Sequence, residues 1–307
     1  MKLDRNNLLR RSKTKQHLMG EIKLTDKIAM LVDSGMDMPP ELIEKGGVFV
    51  APLNIMYTDK TYMDKIEISA AEIYARLDEE VPKTSLPSIS YVQTLIEDIK
   101  NQGYNKILCI TISSGLSGTH NALRLTLEEH EEIESFMVDT KSIGIGGGIQ
   151  AAFIKREIDN GISFDELKKV ASELPIKGGV FFSIPTLEYL KKGGRIGLVS
   201  SIIGTALNLN PIISCNEDGI YYTVNKARGR KKSLAKLMDC VEKTIAGYDE
   251  YDLSVTYGDD KEEAEKLMAA MKEKFSNYRH FYFGEVSPVL GAHTGPGVIG
   301  IGVLPIK

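Results

Sequence analysis

Lys106-Ile107-Leu108-Cys109-Ile110-Thr111-Ile112-Ser113-Ser114-Gly115-Leu116-Ser117-Gly118-Thr119 runs from an apolar strand, through a loop of hydroxyls and glycines, into a helix. Glycines let the chain turn sharply and bring its N–H groups close to a guest, and a helix start adds partial positive charge. The guest such a loop suits is an oxygen-rich anion, a carboxylate or a phosphate.

The same alternation continues on both sides. Lys27 to Val32 reads as a buried strand ending at Asp33-Ser34-Gly35-Met36-Asp37, and Pro39-Pro40 opens a brief helix closed by Gly46-Gly47. Val48 to Tyr57 reads as one strand, Ser69 as the cap of a helix over 70–79, and Lys83 to Ser88 as a loop whose Ser88 caps a helix over 89–102. Strand 106–112, helix 119–130, strand 135–139, helix 147–159 and a capped helix from Ser163 to Leu174 follow. Strands recurring between helices predict an α/β fold with a doubly wound parallel sheet, whose ligands sit at the carboxyl ends of strands. Asp33-Ser34 and the 113–119 loop both fall there.

A second α/β unit is expected beyond: strand 179–184, a short helix, an uncharged helix over 196–209, and a hairpin turning at Asn216-Glu217-Asp218. Helix 231–246, strand 252–257, helix 260–275 and strands near 279–286 and 297–304 complete it. The expected organisation is a basic extension over 1–24, an N-terminal α/β domain over 25–175 and a C-terminal α/β domain over 176–307.

A chain of 307 residues, 42% hydrophobic and 26% charged, has the length for two domains and a sizeable core. Its net charge of −4 leaves no basic excess for nucleic acid. Cys109, Cys215 and Cys240 form no C-x-x-C pair, which points to a reducing, cytoplasmic setting. No His, Cys, Asp or Glu grouping has metal-ligand spacing, so no metal site is expected. Residues 1–24 carry Lys2, Arg5, Arg10, Arg11, Lys13, Lys15 and Lys23 without the apolar centre of an export signal, and read as a basic tail. Ile196 to Cys215 is uncharged and approaches transmembrane length, but Asn208, Asn210 and Pro211 favour a segment against an apolar surface over a membrane span.

Gly144-Ile145-Gly146-Gly147-Gly148-Ile149 fails the dinucleotide fingerprint, because Ile149 stands where the third glycine belongs. Asp33-Ser34 has two readings, a headgroup ligand or brace for the neighbouring loop and a simple helix cap. Thr84 and Ser85 place two hydroxyls before Pro87, and His293 lies in an uncrowded loop over 291–297 where it can hydrogen-bond an acidic ligand. Lys191-Lys192-Gly193-Gly194-Arg195 and Lys226 to Lys232 read as basic loops suited to a polyanion or an acidic partner. No nucleophile has a base beside it: helical geometry turns His120 away from Ser117, and a serine hydrolase acting on acyl esters would need Ser114 or Ser117 brought to His293 by the fold.

Several of these motifs, in order, resemble the DegV family from Lys27 to Pro305: Val32-Asp33-Ser34, Lys83 to Ser88, Ser113 to Thr119, Tyr189 to Ile196, Lys226-Ala227-Arg228-Gly229 and His293 to Gly297. The resemblance implies a two-domain lipid binder that holds a long-chain fatty acid in a tunnel between the domains, without a cofactor. It further implies a non-catalytic subunit that presents the acyl carboxylate to a separate fatty acid kinase subunit, which makes acyl phosphate for phospholipid synthesis. Carried over by motif, Thr84 or Ser85 and Ser114 or Ser117 hold the carboxylate with His293 nearby, while Arg195 and Arg228 lie at the headgroup or the kinase-facing surface. The uncharged 196–209 helix becomes a tunnel wall and lid. The alternatives are a serine hydrolase and a stand-alone lipid carrier or sensor.

Overall fold

Six consecutive buried residues, Ile28–Asp33, form β1, the centre of a parallel sheet in the computed structural model, which describes residues 26–202 and 209–307. The expected basic tail over 1–24 and positions 203–208 of the expected uncharged helix lie outside the described residues. A short helix α1 (Pro40–Ile43) leads from β1 to β2 (Val48–Ala51). The strand expected to run on to Tyr57 breaks at Pro52-Leu53, because a proline has no N–H to give a ladder. The chain leaves the parallel sheet there and enters a small antiparallel one made of β3 (Asn54–Met56), β4 (Thr61–Met63) and, after α2 (Ala70–Arg76), β5 (Lys83–Ser85), in the order β4-β3-β5. Lys83 to Ser85 is therefore a strand, not the expected loop, and Thr84 pairs with Ile55.

Ser69 caps α2 as expected, and the structure shows the cap to be a reciprocal capping box with Glu72. Ser88 precedes α3 (Ile89–Asn101) but does not cap it, since its hydroxyl bonds Ser90 Oγ instead. Then come β6 (Lys106–Thr111), α4 (Thr119–Glu128), β7 (Glu134–Asp139), α5 (Ile145–Asp159) and α6 (Phe164–Lys177), which continues past the expected end at Leu174 through Pro175. The parallel sheet has the order β2-β1-β6-β7.

The second sheet has six strands in the order β10-β9-β8-β13-β11-β12, antiparallel except for the β11–β12 pair. Its first strand in the chain is β8 (Gly179–Ser183), followed by α7 (Glu188–Lys192) and a 3-10 turn over Gly197–Ile202. The uncharged helix expected to reach 209 is already strand there: β9 (Leu209–Cys215) hairpins with β10 (Tyr221–Arg228) around the expected turn. The basic run 226–232 is not a loop but the end of β10 and the start of α8 (Arg230–Ile245). The chain finishes with β11 (Tyr251–Tyr257), α9 (Lys261–Lys274), β12 (Tyr278–Glu285), α10 (Pro288–Thr294) and β13 (Ile299–Pro305). His293 thus sits in a buried helix rather than in a loop.

Helix α5 joins the two sheets. It packs on β8, β11 and β13 and also on the 3-10 turn Ser34–Met36 that follows β1. The glycine run makes this approach possible: a Cβ on Gly146 would fall 2.5 Å from Val180 Cβ, and one on Gly148 would fall 2.4 Å from the Met36 carbonyl. One continuous core consequently contains Met30 and Leu108 from the parallel sheet, Ile149 from α5, and Val180 and Ile213 from the second sheet. Among the described residues no helix is long and apolar enough to cross a membrane.

Candidate functional site

The carboxyl ends of β1 and β6 are tied together by Asp33, whose two oxygens accept from Gly35 N–H at 2.9 Å and Ile112 N–H at 2.8 Å. It is therefore both a cap and a brace for the loop that follows β6. Complete burial pushes its carboxyl up to about 7, against those two N–H groups, with the Asp64 charge adding to the rise.

The hydroxyls of the 113–119 loop divide between structure and cavity. Ser113 Oγ donates to Gly219 O at 2.8 Å and accepts from Gly115 N–H at 3.0 Å, which fastens the loop to the β9–β10 hairpin turn. Ser114 Oγ bonds the Asp139 carboxylate and accepts from Lys141 Nζ at 3.2 Å, on the exposed side. Ser117 Oγ lies 2.8 Å from Thr119 Oγ1, and the residue lines a cavity.

That cavity runs between the two sheets, with Leu53, Ile112, Ile143, Val180, Phe182 and Val289 among its apolar walls. Thr84, Ser117, Arg195 and His293 line it as well. Thr84 Oγ1 and His293 Nε2 are 2.8 Å apart, so the small antiparallel sheet and α10 meet here. Burial, reinforced by the Arg195 charge, pushes the His293 imidazole down to about 4, so the ring is neutral at neutral pH. Its Nδ1 is buried and has no partner. The Arg195 guanidinium donates to Gly193 O at 2.8 Å and reaches Leu116 O at 3.5 Å, linking α7 to the 113–119 loop.

Two glycines seat these groups. A Cβ on Gly193 would stand 2.1 Å from His293 Nδ1, and one on Gly295 would stand 2.2 Å from the Tyr189 ring. The Tyr189 to Arg195 and His293 to Gly297 motifs are thus two halves of one packing arrangement.

Thr84, Ser117, Arg195 and His293 all line this one cavity. Ser85 is the next residue along β5 and, with Ser114 and Arg228, is not among the lining residues; Arg228 is exposed at the end of β10. Among the described residues no serine hydroxyl is hydrogen-bonded to a histidine: His293 is joined to Thr84, and His120 Nδ1 lies 3.1 Å from Thr111 Oγ1. Asp37, Tyr221 and Thr256 also line the cavity and were not singled out as binding residues. Only Asp37 carried any signal, through its place in the Asp33 to Asp37 motif. The described residues include one grouping with metal-ligand geometry, Glu97, His130 and Glu132. The Lys100 ammonium already stands within it, 2.8 Å from Glu97 and 2.6 Å from Glu132.

Comparison with known proteins agrees with this architecture. A family model described as "Uncharacterised protein, DegV family" matches residues 27–305. A DegV domain-containing protein of Clostridium acetobutylicum is 39% identical over 279 residues, covering 91% of this chain and 99% of the relative. A fatty-acid-binding DegV family protein from Thermus thermophilus superposes with a TM-score of 0.85 at 28% identity, covering 91% of this chain and 99% of its own. A stearic acid-binding protein from Eubacterium ventriosum superposes with a TM-score of 0.81 at 27% identity, over 91% and 98% of the two chains. With its ordered motifs, its two sheets and this match over nearly the whole described length, the chain belongs to the DegV family.

Proposed function

We propose that this protein binds a long-chain fatty acid in the cavity between its sheets, with the carboxylate at Thr84, Ser117 and His293 and with Arg195 beside it. The observation that carries this reading is the Thr84–His293 pair, 2.8 Å apart, on a largely aliphatic cavity that Ser117 and Arg195 also line. A buried methylene is worth about 0.8 kcal/mol, so a long acyl tail contributes roughly 10 kcal/mol before association costs. The hydroxyls and imidazole then meet the carboxylate, whose burial without partners would be costly. Of each adjacent pair of hydroxyls, the cavity favours Thr84 over Ser85 and Ser117 over Ser114. The relatives from Thermus thermophilus and Eubacterium ventriosum, which bind fatty acid and stearic acid respectively, support the ligand class.

Native mass spectrometry with lipid extraction tests it: a co-purified fatty acid is expected, and Thr84→Val should weaken fatty acid binding by about tenfold, the worth of a lost hydrogen bond to a charged group. An empty protein that takes up no fatty acid overturns the proposal.

The protein further serves, in this reading, as the non-catalytic subunit of a fatty acid kinase in the cytoplasm. It holds the carboxylate for a separate ATP-dependent subunit, and Arg228 belongs to the outer surface offered to that partner. The unpaired cysteines Cys109, Cys215 and Cys240 support the compartment. Acyl phosphate is expected only when kinase subunit, ATP and loaded protein are mixed. No product with a kinase subunit shown to be competent would reduce the protein to a lipid carrier.

A further inference from the structure

Thr84 and His293 meet at 2.8 Å although β5 and α10 reach the cavity from opposite ends of the sequence. Both elements are tied to one buried pair, Ser34 and Asp64. Ser34 Oγ accepts from Leu53 N–H at 3.0 Å, at the residue just before β3, and Ile55 of β3 pairs with Thr84. Asp64 accepts from Val289 N–H at 2.9 Å, four positions before His293 and about 6 Å from it along the helix axis. The joint between the two arms is the Ser34 hydroxyl, which donates to Asp64 Oδ2 at 2.5 Å. Asp64 N–H also donates to Leu53 O at 2.9 Å, so Leu53 is held on both sides of its peptide unit.

Helix α10 depends on this distant support. Pro288 at its first position has no N–H, and the Ser287 side chain makes no cap bond. Its first N–H groups are met instead by Asp37, through Ser287, and by Asp64, through Val289. Ser34 and Asp64 are 2% and 1% exposed and are not among the residues that line the ligand cavity, whereas Leu53, Val289, Thr84 and His293 all are. A buried carboxylate is costly unless its oxygens are met, and each Asp64 oxygen has its own donor, one from each arm. The pair therefore acts on the cavity through other residues.

We propose that Ser34 and Asp64 are positioning residues for the carboxylate end of the ligand: their hydrogen bond sets how closely Thr84 and His293 approach. This rests on the fatty-acid reading above and assigns a role within it to Ser34 of the Val32-Asp33-Ser34 motif, whose Asp33 braces Ile112. Loss of the joint lets β3 with β5, and α10, shift relative to each other. The contacts to the carboxylate then weaken more than those to the acyl tail.

The test compares myristate with 1-tetradecanol, which has the same tail but no carboxylate, on the delipidated 307-residue chain at pH 8. Each competes against a fluorescent acyl probe whose affinity is measured for every protein. In Ser34→Ala and Asp64→Asn the ratio of acid to alcohol affinity is expected to fall about tenfold, the worth of a lost hydrogen bond to a charged group. In a Thr84→Val background, Ser34→Ala should lower that ratio by less than it does alone, because both changes act on one contact. Should either variant fail to fold, Ser34→Cys, which keeps a weak donor, decides by the same ratio. Equal weakening of acid and alcohol, an unchanged ratio, or a full additive loss in the Thr84→Val background overturns the inference and leaves the fatty-acid reading standing. A wild-type protein that binds no myristate overturns both.

Discussion

His293 is the residue at which burial, charge and hydrogen bonding meet. It is buried in α10, shares a 2.8 Å hydrogen bond with Thr84 and lies within the influence of Arg195, so its imidazole is held down at about 4. An unfolded histidine titrates near 6.5, so between these values the unfolded chain binds the extra proton and the folded one does not. The stability contributed by neutral His293 is therefore complete above about pH 6.5 and is lost as pH falls toward 4, by about 3 kcal/mol in all. Asp33 and Asp64 run the other way. Burial raises them to about 7 and about 6, so their contributions are largest below the ordinary aspartate range and fall as pH rises through those values. Urea unfolding of wild type and His293→Gln at a series of pH values separates the two. The difference between the proteins should shrink as pH falls from 6.5 to 4, while the opposing aspartate slope is common to both; a constant difference would mean that His293 is not held neutral by the fold.

At the scale of elements, function depends on segments that carry no chemistry themselves. The turn after α7 holds Gly193 against His293, where a methyl group would lie 2.1 Å from Nδ1 and 3.1 Å from the Tyr189 carbonyl. Gly193→Ala must push the imidazole off Thr84, so it should weaken fatty acid binding by a factor similar to His293→Ala. The double variant should be little worse than either single one, since both break the same contact. Additive losses in a competition titration would show that Gly193 acts elsewhere. The 113–119 loop shows the same economy. A Cβ on Gly115 would meet the Asp218 carbonyl at 2.6 Å, so this glycine admits the hairpin turn rather than an anion, while Ser117 alone among the loop serines lines the cavity.

Across the whole molecule, α5 is the wedge that fixes how far apart the two sheets stand. Its glycines remove side chains on both sides at once: toward Val180 of β8 at Gly146, and toward the Met36 and Asp37 backbone at Gly148. Backbone cannot swing aside as a side chain can. Gly148→Ala should therefore destabilise the fold by about 1–3 kcal/mol, read as a lower urea midpoint, and loosen acyl binding because the cavity lies between the same sheets. An unchanged midpoint would mean that the helix can slide without cost. The remaining ties are polar: Asp37 accepts from Ser287 N–H at 3.0 Å and Asp64 from Val289 N–H at 2.9 Å, so carboxylates beside the parallel sheet hold the first turn of α10. Because α10 also carries His293, the contacts that join the sheets place this cavity-lining group too.

The local pattern of residues was enough to read the alternation of strands and helices, the parallel sheet, the Ser69 cap and the turn at Asn216-Glu217-Asp218. Each depends on near neighbours, on strand-length apolar runs, caps and glycines, and these are written in consecutive positions. The ordered motifs also carried the family and drew attention to Thr84, Ser117, Arg195 and His293. What they left open was geometry at long range. Pro52 sends the chain into a separate antiparallel sheet, and only that detour turns the 83–85 segment into a strand and brings Thr84 to a histidine 209 positions away. Whether a loop serine lines the cavity, holds the hairpin or meets solvent depends on Gly219 and Asp139, partners that folding alone brings close. The order of residues along the chain determined an α/β protein and singled out the 113–119 loop; the packing of α5 and α10 between the sheets decided which hydroxyls line the cavity.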